Sequence, residues 1–85
     1  MHPSSVIELN RAVAVAMAEG PEAGLAAVDA IEGLEDYRHL HSSRADLLRR
    51  LGRDDEARAG YERALALEPN EAEREFLERR LASLE

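Results

Sequence analysis

The chain has 85 residues, enough for one small domain with a thin core. A formal net charge of −7 speaks against unaided binding to nucleic acid, which needs clustered cations to neutralise phosphates. Cysteine is absent and no apolar run approaches membrane-spanning length, which leaves no thiolate metal site, no disulfide framework and no predicted span.

Hydrophobic periodicity and helix-breaking residues predict five helices. The first runs from about Ser5 to Ala18, with Ser5 and Glu8 spaced as a capping box and Ile7, Val13, Val15 and Met17 as its apolar bulk. Gly20-Pro21 stops it and starts the second, about Pro21 to Glu32, which carries Leu25, Val28 and Ile31 at core spacing and ends at Gly33. Leu34 to Tyr37 reads as the loosest join. The third helix, about Tyr37 to Leu51, gathers Leu40, Leu47, Leu48 and Leu51 on one face. Gly52 can take the left-handed conformation that closes it, and Asp54 is placed to cap the fourth, which runs to about Leu67 and is closed by Pro69. The fifth starts with Asn70 as cap and Glu73 three residues on, and its stripe is Phe76, Leu77, Leu81 and Leu84. Its other face is nearly all Glu and Arg, as suits the end of a stack.

The segment LGRDDEARAGYERALALEPN, Leu51 to Asn70, matches the second half of a tetratricopeptide (TPR) unit. Ala57 and Tyr61 hold the small-then-aromatic spacing, Ala64 follows a turn later, and Pro69 comes after the helix. Arg11-Ala12 recurs as Arg44-Ala45, 33 residues later, close to the TPR period of about 34. The expected fold is therefore all-α, a TPR-like right-handed α-solenoid fragment within a single domain over residues 1–85. It comprises a first hairpin over about 5–32, a second over about 37–67 and a capping helix over about 70–84. A helical array of this kind holds other proteins and is not expected to be an enzyme.

ELNRAVAVAMAEGPEAGL (Glu8 to Leu25), HSSRADLLRRLGRDDEA (His41 to Ala57) and NEAEREFLERRL (Asn70 to Leu81) together resemble the C-terminal extension of bacterial extracytoplasmic-function (ECF) RNA polymerase sigma factors. The resemblance covers nearly the whole chain and implies a TPR-like domain that follows the helical domains engaging polymerase and promoter. Those domains have no counterpart here, so transcription activity would belong to a parent protein. The implied role is regulatory, through contact with the sigma core domains, RNA polymerase or another regulator. The alternative is a stand-alone TPR adaptor with no link to transcription.

Asn10 and Arg11 interrupt an apolar helix, and Arg44 repeats Arg11 one period on. In a TPR stack the first helix of each pair lines the inner face. Asn10, Arg11, His41 and Arg44 are therefore the candidate protein-binding groove, offering donors to a carboxylate. The competing role for the two arginines is bracing against neighbouring acids. His39 and His41 lie on different sides of a helix and cannot share a metal ion, and His2 reads as part of a loose end. Ser42, Ser43, His41 and Asp46 lack the strand-to-helix elbow of a hydrolase, and no phosphate-binding glycine loop exists. Arg49, Arg50 and Arg53 read as a solvated helix end. No catalytic residue, cofactor or metal is expected; the partner is a protein, with no direct nucleic-acid or membrane contact, in the cytoplasm. Val6, Ile7 and Val13 would be exposed when the first helix lacks its neighbour, so self-association as a homodimer through that helix is a further expectation.

Overall fold

The structure, a computed structural model, describes residues 3–84, so His2 lies outside the described residues. Among these residues the chain is all-helical, with five helices and no strand: α1 (Pro3–Glu19), α2 (Pro21–Asp29), α3 (Arg38–Arg50), α4 (Asp54–Ala66) and α5 (Glu71–Ser83). None of the five is long and apolar enough to cross a membrane.

The turns follow from particular residues. Gly20, at φ 103°, closes α1 by donating its N–H to the Ala16 carbonyl, and Pro21 opens α2 where a missing N–H costs nothing. Gly52, at φ 75°, lets its own N–H reach the Arg49 carbonyl and the Arg53 N–H reach Leu48, the paired bonds of a Schellman ending. At the end of α4 the left-handed residue is Glu68, at φ 54°, and the buried Pro69 follows it.

Two predicted caps differ from the structure, and a third is present with its capping box half made. Ser5 lies inside α1 and donates its hydroxyl 3.1 Å to the Glu32 carbonyl, pinning the start of α1 to the chain beyond α2. Asp54 is the first residue of α4 and Arg53 occupies the cap position without a side-chain bond; Asp54, Asp55 and Glu56 instead place negative charge at the positive end of the helix. Asn70 does cap α5, accepting the Glu73 N–H at 2.8 Å, but the Glu73 carboxylate turns away to Arg38 and leaves the capping box half made. α2 also ends at Asp29, short of Gly33. The supposedly loose join holds Leu34, one of the most deeply buried side chains.

α1 pairs with α2 and α3 with α4 over long contacts, α2 also packs on α3, α4 on α5, and α1 touches α3. Each second helix thus lies against two first helices. The core along this seam comprises Leu9, Ala12 and Ala16 of α1, Leu25 and Val28 of α2, Leu34, Ala45, Leu47 and Leu48, then Ala57, Tyr61, Ala64 and Leu77. The apolar bulk assigned to α1 is mostly elsewhere: Ile7, Val13 and Met17 are 58%, 38% and 80% exposed, while Leu9 and two alanines do the packing.

The two hairpins close on small residues. A Cβ at Gly24 would overlap the Ala16 methyl and stand 2.9 Å from the Ala16 Cα, whereas a Cβ at Gly60 would meet the Ala45 Cβ at 2.9 Å and the His41 carbonyl at 3.3 Å. Gly24→Ala therefore forces α1 and α2 apart at the backbone and is expected to cost about 2 kcal/mol or more. Gly60→Ala costs less, because a smaller shift suffices there, so the helix-propensity gain of about 0.5–1 kcal/mol that both sites share offsets more of the cost. Urea unfolding followed by circular dichroism checks the order; a Gly24→Ala variant as stable as the parent contradicts it.

Candidate functional site

α3 runs between two open grooves, a consequence of its position between α1 and α5. One, of about 350 Å³, is lined by Val13, Ala16 and Met17 of α1 facing Ser43, Asp46, Leu47 and Arg50 of α3. The other, of about 260 Å³, lies where Arg38, His39 and Ser42 of α3 face Phe76 and Leu77 of α5, with Ala64 at its floor. Helical spacing puts these two sets on adjoining faces of α3.

The ends of the second groove are fixed by charge. Arg38 grips Glu73 with two parallel hydrogen bonds, Nε at 2.5 Å and Nη2 at 2.9 Å, and His39 Nε2 stands 3.8 Å from the same carboxylate. The guanidinium hydrogen bond is the main reason that Glu73 titrates below the ordinary 4.5 of a glutamate, and Arg38 is correspondingly raised. Arg80 lies over the Phe76 ring at 4.8 Å, so a cation covers the aromatic edge of the groove.

Between the grooves sits a polar knot that the sequence did not disclose. Tyr61 of α4 is wholly buried and donates its phenolic hydrogen to Asp46 of α3. Burial, reinforced by that carboxylate, pushes the phenol up to about 12, while Arg49 pulls the other way. Arg80 of α5 brings its Nε 3.4 Å from the same Asp46, near enough for attraction but not aligned as a hydrogen bond. Asp46 thereby joins three helices. Arg49, expected at a solvated helix end, has a buried Nε, as do Arg58 and Arg80, and none of these three Nε atoms has a hydrogen-bond partner among the described residues. The other two members of the basic run behave differently: Arg53 donates two parallel hydrogen bonds to Glu56 at 2.8 and 2.7 Å, and Arg50 lines the α1–α3 groove. Glu56 is held low chiefly by that Arg53 hydrogen bond.

The four predicted groove residues divide into two pairs. Arg44 binds Asp29 at 2.6 Å, bracing α3 to the end of α2, and His41 Nε2 lies 2.7 Å from the Glu35 carbonyl. Both stand on the α2 side of α3, and the partner of Arg44 is Asp29 in place of the adjacent Asp46. Asn10 and Arg11 are exposed on α1, where Arg11 borders a shallow hollow with Glu8, Val15, Ala27 and Ile31. Among the described residues neither Asn10 nor Arg11 joins the bonds that hold His41 and Arg44. Of the TPR-motif positions, Ala57, Tyr61 and Ala64 are fully buried. No set of three His, Cys, Asp or Glu side chains spaced for a metal ion occurs among the described residues.

The chain is 46% identical, over 99% of its length, to an uncharacterized protein of Rhizobium meliloti strain 1021. It spans about a fifth of the length of that relative, 20%. No family model matches the chain, and no solved structure matches it.

The Arg38–Glu73 pair gives α5 an acid-sensitive attachment. Because the folded-state pKa of Glu73 is depressed, its stabilisation is present above the ordinary carboxylate range and is lost as pH falls through the lower folded value. The wild type should therefore be more stable than Glu73→Gln at neutral pH, with the gap closing between about pH 5 and pH 2. Urea midpoints measured across that range test it, and a gap unchanged by pH contradicts it.

Proposed function

We propose that this chain is a non-enzymatic protein-interaction module: a TPR-like right-handed α-solenoid fragment, two hairpins and a capping helix, acting as the C-terminal extension of an ECF-type sigma factor. The parent would direct RNA polymerase to promoters, and the module would regulate it through protein contacts with the sigma core domains, the polymerase or a regulator. The observation that carries the reading is the order of packing, in which each second helix bridges two first helices. That is the arrangement a stack of helical hairpins requires. Burial of Ala57, Tyr61 and Ala64, the positions of the TPR pattern, supports it.

The surface chemistry supports a protein partner over nucleic acid. Arg38, Arg44, Arg53 and Arg63 all sit in ion pairs with carboxylates, which removes much of their field from any phosphate backbone. The groove between α3 and α5 offers mostly apolar walls, and the one between α1 and α3 mixes apolar walls with Ser43, Asp46 and Arg50, as expected of sites that take side chains of another polypeptide. A relative five times as long accords with a module working beside other domains.

The test is a binding titration of the chain against three species at about 0.15 M salt: core RNA polymerase, the promoter-reading domains of an ECF sigma factor, and duplex promoter DNA. The reading expects saturable binding to one of the proteins and none to the duplex. Sequence-dependent DNA binding, or failure with both proteins, contradicts it; failure with both leaves the adaptor role unlinked to transcription as the better account.

A further inference from the structure

The repeat within the chain shows what the outer face of α1 is for. Shifting back by 33 residues carries Ser43, Arg44, Asp46 and Arg50 of α3 onto Asn10, Arg11, Val13 and Met17 of α1. On α3, Ser43 and Arg50 line the groove toward α1 and Arg44 binds Asp29 at the end of α2, so this side receives the preceding hairpin; Asp46 stands at its border, lining the same groove while taking the Tyr61 hydroxyl of α4. Their counterparts on α1 are all exposed. The same shift takes Leu40, which packs against the core, onto Ile7, which is 58% exposed.

The α1 face has Met17 where α3 has Arg50 and Ile7 where α3 has Leu40, with Ala14 where α3 has Leu47; Met17 borders the α1–α3 groove and is still 80% exposed. A helix that has already buried Leu9, Ala12 and Ala16 against α2 has no use for a second apolar stripe facing water. Beside the stripe stands Arg11, which makes no ion pair among the described residues, although its counterpart makes a short one.

We propose that the outer face of α1 is a docking site for a two-helix hairpin from another protein segment, held as α3 holds α1 and α2. Arg11 then pairs with a carboxylate at the end of the second helix of that hairpin, the position Asp29 has against Arg44. The inference rests on the stacked-hairpin reading above and adds the partner of one face. A second copy of this chain fits less well. Continuing the stack would require the copy to offer the side of α4 that α5 already covers. Two copies also bring together net charges of −7 each.

The probe is the chain's own first hairpin. Residues 3–35 duplicated directly ahead of residue 3 preserve the 33-residue register and present the added Asp29 to the inner Arg11. If the face docks a hairpin, the lengthened chain unfolds in one urea transition, with an m-value greater by roughly two-fifths and a higher midpoint. Ile7→Glu or Arg11→Ala in the inner repeat then lowers that midpoint, while the same changes in the 85-residue chain leave it unmoved. An added hairpin that melts in a separate transition, or inner substitutions as silent as in the parent, overturns the proposal. So does a concentration-dependent dimer of the 85-residue chain that Ile7→Glu dissociates, because it assigns the face to a second copy. Leu47→Ala in the 85-residue chain separates the two levels of failure. A lower midpoint there, with a hairpin that does not dock, leaves the stack standing and removes only this inference; an unchanged midpoint removes the stacked-hairpin reading itself.

Discussion

Everything in this small fold depends on how closely two helices of a hairpin can approach. At Gly24 against Ala16, and at Gly60 against Ala45, backbone meets backbone with no room for another methyl group. A helix drawn in that tightly is left with a narrow body and two usable flanks. α2 can therefore touch α1 and α3 together, and α4 can touch α3 and α5. With larger residues at the crossings the second helices would stand away from their partners and the seam through the molecule would open.

The small crossings explain why so much of the core is alanine and why so few large side chains suffice. Tyr61, Leu34, Leu48 and Val28 fill the spaces the alanines leave between crossings. Tyr61 adds direction to that filling, because its hydroxyl must find an acceptor inside the protein and finds Asp46. Asp46 in turn draws Arg80 of α5 toward the same point, and Arg38 ties the other end of α3 to Glu73. α5, which buries Leu77 and packs Phe76 and Leu81 against the core, is thus also tied to α3 by charge.

Much of the fold was legible because breaking residues and periodicity agree. Gly20-Pro21, Gly52 and Asn70 fixed three boundaries, and the spacing of Ala57, Tyr61 and Ala64 identified a buried face before any coordinates. The errors have physical causes. α1 carries two apolar stripes, and composition alone favours the bulkier one, whereas close packing selects Leu9, Ala12 and Ala16. Ser5 and Asp54 look like caps by residue type, yet a serine can equally pin one segment to another, as Ser5 does at Glu32. Leu34 carries no sequence signal, because one buried leucine in a short connection has no periodicity to reveal it. Of the candidate site, the repeat of Arg11 at Arg44 was visible, but the Asp29 partner lies 15 residues from Arg44 along the chain and only the packing of α2 on α3 brings it near. The Asp46, Tyr61 and Arg80 knot joins three helices and has no signature in local sequence.

The functional picture follows from what the helix packing leaves open: two grooves beside α3 and the exposed side of α1. Its foundation is the geometry of the crossings, and the most direct measurement is nuclear Overhauser contact between protons in solution. The account predicts strong contacts from the Gly24 α-protons to the Ala16 methyl and from the Gly60 α-protons to the Ala45 methyl, with the Met17 methyl freely broadened by a soluble paramagnetic agent. Absence of either glycine contact, or a Met17 methyl shielded within the monomer, would contradict it.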